Sequence, residues 1–215
     1  PWAIKTAEDK LATFATHLQD LELALTSLEK EPYVDAARVA IFTWSYGAEL
    51  APRMQLRHEN VRLVLGLSSN PLSAAGLYQG AEAASHLEAD RLNASYVIMT
   101  EKIGTNGQER TAPEILAELP AESYFVSFAD LAHGSFNALE GMLPGVWGIE
   151  KVHSWSKGGA VAQLGYETLC RAVEAFLDTL LAETEERLDR SWTDDLPEGF
   201  VTITRYPSEA AQSQP

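Results

Sequence analysis

Val39-Ala-Ile-Phe-Thr43-Trp-Ser45-Tyr-Gly47-Ala is the stretch that decides the fold. The run 39–43 is short and apolar, and the polar Asp35-Ala-Ala-Arg38 bounds it, which predicts a strand buried on both faces. Ser45-Tyr46-Gly47 follows, and an Ala/Leu-rich stretch to about Arg57 predicts a helix. A serine on a sharp strand-to-helix turn projects its hydroxyl above the carboxyl edge of a sheet. The N–H of the next residue, Tyr46, then sits at a helix N-terminus, where it can stabilise an oxyanion. Small residues suit such a turn because strand and helix backbones run close together. As a bare string Ser-x-Gly carries little information, and an ordinary helix-capping serine is the alternative reading. The position between strand and helix is what singles out Ser45.

Downstream, 61–67 predicts a second buried strand, ended by Ser68-Ser-Asn-Pro71. Residues 72–92 are Ala-rich and read as helix, 96–100 as a third strand, and Gly104-Thr-Asn-Gly107 as a turn. A helix over 112–119 precedes a fourth strand, 124–128, which delivers Ala129-Asp-Leu-Ala-His133. A connection rich in Gly and Trp spans 134–165. Tyr166, Leu169, Cys170, Val173, Phe176, Leu177 and Leu180 then mark a closing amphipathic helix. Upstream, Leu11, Phe14, Leu18, Leu21, Leu25 and Leu28 place one apolar face on a helix over 6–30. A coiled-coil seam shares that spacing, but the pattern stops at Glu31-Pro32, as a single core-facing helix would.

Four apolar strands alternating with helices predict an α/β fold, a mostly parallel sheet flanked by helices. We expect one domain over 1–215. Its core should cover about 1–182, with a C-terminal extension over 183–215 that holds the alternating stretch Phe200-Val-Thr-Ile-Thr204 and a partly disordered tail.

The 31 acidic residues against 16 basic ones give a formal net charge of −15, without a basic cluster, which excludes a phosphate-backbone partner such as nucleic acid. The plain reading of this acidity is a soluble, self-repelling surface. The lone Cys170 rules out an internal disulfide and reads as a small buried hydrophobe on the last helix. No apolar run approaches the roughly 20 residues that cross a bilayer, and no leader is recognisable. Pro1 is not an initiating residue, so the chain is expected to be processed or truncated, and its compartment is not legible. Neither a phosphate-binding Gly-rich loop nor clustered metal-ligand spacing is present, so no cofactor is implied.

A serine nucleophile needs a base, and imidazole titrates near neutrality. His133 alone among the five histidines falls just after a predicted strand in a Gly-containing loop. His17, His58 and His86 lie in helical or charged stretches and read as surface, and His153 in the long connection is a weaker competitor.

The order strand, Ser45 turn, helix, strand, helix, strand, acidic loop, helix, strand, His133 loop and final helix resembles the α/β-hydrolase fold over about 35–181. Within it, Trp44-Ser45-Tyr46-Gly47 and Leu131-Ala-His133-Gly-Ser-Phe136 are similar to dienelactone-hydrolase-like and related esterase/peptidase members. The pattern there is Gly-x-Ser-x-Gly, and Thr43 stands where its first glycine belongs. The resemblance implies a Ser–acid–His triad with the acid after the strand at 96–100. Glu101 is the nearest carboxylate and our choice; Asp130 and Glu109 are the other candidates. The implied activity is cleavage of an ester, less readily an amide, of a small molecule, with Tyr46 N–H as oxyanion donor and Trp147 and Trp155 as candidate pocket walls. A non-catalytic binding or scaffold module of the same fold is the rival, favoured by Thr43 and by the open question of the acid. The resemblance also implies several strands before 39–43, where this chain has room for one helix. We therefore expect a fragment lacking the N-terminal strands, with the edge of its first strand uncovered.

Overall fold

A computed structural model describes residues 7–68, 91–101, 112–129, 131, 133–136, 159–181, 188 and 191–208. Helix α1 (Ala7–Leu28) leads to β1 (Val39–Trp44), a 3-10 turn (Ser45–Glu49) and α2 (Ala51–Arg57). Strands β2 (Val61–Leu67) and β3 (Ser95–Glu101), helix α3 (Ala112–Glu118) and β4 (Ser123–Phe128) follow. A 3-10 turn (His133–Phe136), α4 (Gly159–Phe176) with a π turn (Leu177–Leu181), a 3-10 turn (Ser191–Thr193) and β5 (Val201–Tyr206) complete the described elements.

The sheet order is β1-β2-β3-β4-β5, with β1 to β4 parallel and β5 antiparallel to β4. This is the expected α/β architecture. Period-two alternation explains how one strand serves two cores. Leu63, Leu65 and Leu67 of β2 join Val97, Met99, Val126 and Phe128 in a cluster sealed by Leu169, Ala172 and Phe176 of α4. Val64, Tyr96 and Ile98 belong to the opposite cluster, with Ala51 of α2 and Leu116 of α3. Strands β2 and β3 are thus covered on both faces, which is why they read as continuous apolar runs.

Several expectations are corrected. Strand β1 is not buried on both faces: it is an edge strand, with Phe42 54% and Trp44 40% exposed. An apolar run reports the capacity to be covered, and among the described residues β1 pairs with β2 alone. On α1, Phe14, Leu18 and Leu25 pack against Leu50, Met54 and Ile41, but Leu21 and Leu28 are exposed, so the apolar stripe is wider than its partner surface. Cys170 is exposed, not buried, because Leu169, Ala172 and Phe176 form the inward face of α4 and Cys170 lies beside it. That helix begins at Gly159, inside the connection expected over 134–165.

Beyond 182, Leu188, Trp192 and Phe200 are buried in the α4-side cluster, and β5 extends the sheet. The alternation at 200–204 fits an antiparallel edge strand with one face on the core, since Val201 and Ile203 pack there. The helix expected over 72–92 lies mostly outside the described residues, as does the end of the tail. Among the described residues no helix is long and apolar enough to cross a membrane, and no group of three or more His, Cys, Asp or Glu could hold a metal ion.

Candidate active site

Parallel strands in register bring their carboxyl ends to one edge, where ligands of open α/β sheets bind. The pairs Trp44↔Leu67, Leu67↔Met99 and Glu101↔Phe128 level the ends of β1 to β4. Each strand contributes one polar group at that edge. Ser45 follows β1, Ser68 follows β2, Glu101 is the last residue of β3, and β4 leads through Leu131 to His133.

Ser45 has φ 53° and Ser68 φ 45°, the two positive values for non-glycine residues among those described. A left-handed L-residue costs about 1–2 kcal/mol, so each is held by its surroundings. For Ser45 the turn is sharp: Trp44 is extended at φ −132° and ψ 135°, and the 3-10 turn starts at the next residue. Thr43 is accommodated beside this turn. Its hydroxyl donates to the Leu65 carbonyl at 3.2 Å, and a Cβ built on Gly47 would lie an ordinary 3.9 Å from Thr43 Cβ. Strain at Ser45 has a measurable signature. Ser45→Gly is expected to be more stable than Ser45→Ala by about 1 kcal/mol, because only glycine accepts positive φ without steric cost. Urea melts of the two variants check this; a more stable alanine variant contradicts it.

The structure brings three expected residues together. His133 Nε2 lies 3.0 Å from Ser45 Oγ. Glu101 Oε1 is 4.0 Å from His133 Nδ1, with the two side chains 23% and 30% exposed respectively. Ser68 Oγ stands between them, 2.6 Å from Nδ1 and 2.6 Å from Glu101 Oε2. Thr100 Oγ1 also donates to Oε2, at 3.4 Å. Trp44 stacks on the imidazole with centroids 5.1 Å apart, and its indole N–H reaches the His133 carbonyl at 3.4 Å. The residue that precedes Ser45 therefore buttresses the imidazole.

Tyr46 occupies the second position of the 3-10 turn. The rival acids Asp130 and Glu109, the histidines at 86 and 153, and Trp147 and Trp155 lie outside the described residues. Two side chains that meet the imidazole do not stand out in the sequence: Ser68 reads there as a strand terminator, and Trp44 as part of the strand-to-helix turn. The available signal was positional, since Ser68 ends the strand that neighbours the Ser45 strand.

No family model and no curated protein matches the chain. Among solved structures it is similar to a ferulic acid esterase from Streptomyces cinnamoneus, with a TM-score of 0.63 and 20% sequence identity. The likeness covers 90% of this chain and 55% of that one, so the chain spans about half the length of the structure it matches. At that identity the likeness establishes the fold alone, a mostly parallel α/β sheet flanked by helices. It does not extend to the dienelactone-hydrolase-like members.

Proposed function

We propose that the chain carries the catalytic residues of a serine hydrolase that cleaves small-molecule esters. The observation that carries this reading is a strained serine at a strand-to-helix turn with an imidazole nitrogen 3.0 Å from its hydroxyl. Ser45 Oγ attacks the ester carbonyl carbon as its proton passes to His133 Nε2, and the carbonyl electron pair moves to oxygen. Tyr46 N–H donates to that oxyanion. Collapse re-forms the carbonyl and breaks the C–O bond to the alcohol, which leaves with the proton from Nε2. Water then attacks the acyl-enzyme, gives its proton to Nε2, and releases the acid as Ser45 recovers that proton. The negative charge of Glu101, 4.0 Å from Nδ1, stabilises the charged form of the ring.

The name of the structural neighbour makes aromatic acyl esters the first to try. A panel of p-nitrophenyl acetate, p-nitrophenyl butyrate and a ferulate ester should show hydrolysis that disappears in Ser45→Ala. Hydrolysis that survives in Ser45→Ala would contradict the reading.

We further propose that a strand upstream of the described elements pairs with the far edge of β1. Exposed Phe42 and Trp44 support it, as does a groove of about 410 Å³ lined by Leu21, Ile41, Phe42 and Trp44, with His17 and Asp20 at its polar side. An exposed apolar edge strand invites pairing with other chains. A version with upstream strands is expected to be markedly more soluble, measured as the soluble fraction after centrifugation. Equal solubility would contradict this part.

A further inference from the structure

We infer that Ser68 is a positioning residue that joins Glu101 to His133, so that the acid acts on the base through a hydroxyl; this rests on the serine-hydrolase reading of the site. The polarity of the chain of contacts follows from a proton count. A carboxylate accepts only, and a serine hydroxyl carries one proton and two lone pairs. The 2.6 Å contact to Glu101 Oε2 therefore takes the Ser68 proton, and the 2.6 Å contact to His133 must be accepted from Nδ1–H. That fixes the ring tautomer with the Nε2 lone pair toward Ser45 Oγ, 3.0 Å away, as proton abstraction requires.

The direct alternative is weaker in this geometry. Glu101 Oε1 is 4.0 Å from Nδ1, too far for a hydrogen bond, though close enough for charge to act. Ser68 is 7% exposed, and its backbone is pinned by an N–H bond of 2.7 Å to the Met99 carbonyl. Its φ of 45° turns the hydroxyl into the gap at a cost that a mere strand terminator need not bear. Both strained serines of the described chain thus meet the same imidazole, one at each nitrogen.

The test combines labelling rates with a spectroscopic reading of the ring. Hydrogen bonds to charged groups are worth about 1.5–3 kcal/mol, so Ser68→Ala and Glu101→Gln should each slow fluorophosphonate labelling about tenfold to a hundredfold. Because the two act in series, the double variant should be no slower than the slower single one. Ser68→Asp in the Glu101→Gln background should recover labelling, since it sets a carboxylate directly against Nδ1. Ser68→Gly accepts positive φ and repeats the deletion if the alanine variant folds poorly. In unlabelled protein, ¹⁵N shifts of His133 should show Nδ1 protonated in the wild type and a shift toward Nε2–H in Ser68→Ala or Ser68→Gly. An unchanged tautomer, or a double variant that loses the product of the single effects, overturns the assignment. Wild-type protein that does not label would instead refute the hydrolase reading, and the tautomer measurement would still decide the role of Ser68.

Discussion

Replacing His133 with alanine is expected to slow labelling of Ser45 by about 10²- to 10⁴-fold, the range for losing a positioned general base. The loss should be kinetic and not structural. The imidazole is 30% exposed on its side chain, and its partners Ser45, Ser68 and Trp44 lie at the mouth of the sheet edge outside the apolar clusters. Its removal should cost about 1 kcal/mol of stability, the scale of one hydrogen bond. Ser45→Ala should abolish labelling, and adding His133→Ala should lower esterase turnover no further, because nucleophile and base act as a unit. Stopped-flow labelling and urea melts on the three variants provide the comparison. A His133→Ala variant that labels at the wild-type rate would show that His133 is not the base.

The second large effect is expected at Gly165, within helix α4. Alanine in a helix interior is ordinarily better than glycine by about 0.5–1 kcal/mol. Here a Cβ would lie 2.1 Å from Leu131 Cδ2 and 2.9 Å from Cδ1, and Leu131 is itself only 4% exposed. Overpacking of this kind costs about 1–3 kcal/mol, so the clash outweighs the propensity gain. Gly165→Ala is therefore expected to destabilise by about 1 kcal/mol, and Gly165→Val by about 2–3 kcal/mol, with the midpoint in urea as the measure. Labelling should fall as well, because Leu131 is two residues before His133 and the helix seats the turn that carries the base. A more stable alanine variant would mean that Leu131 moves aside freely.

How much of this is legible in the sequence depends on what each signal reports. Strands β2, β3 and β4 are readable because sheets covered on both faces leave continuous apolar runs, and the helices between them imply parallel pairing. Ser45 stands out by its place at a strand-helix junction, and His133 by its place after the last parallel strand. Burial is less legible. Phe42 and Trp44 look like core residues, yet whether they are covered depends on what pairs with the far edge of β1. Cys170 sits in an apolar helical pattern, but one position beside the buried stripe is enough to expose it. Ser68 is invisible as a functional group in one dimension. A serine at a strand end is common, and only the register of β2 against β1 and β3 sets its hydroxyl between an imidazole and a carboxylate.

Activation of Ser45 by His133 is tested by treating the folded chain with a fluorophosphonate probe and locating the adduct by peptide mass spectrometry. A single stoichiometric adduct is expected on the peptide bearing Ser45, absent after unfolding in urea and absent in Ser45→Ala. An adduct on Ser68, or none on a chain shown to be folded by circular dichroism, would contradict it.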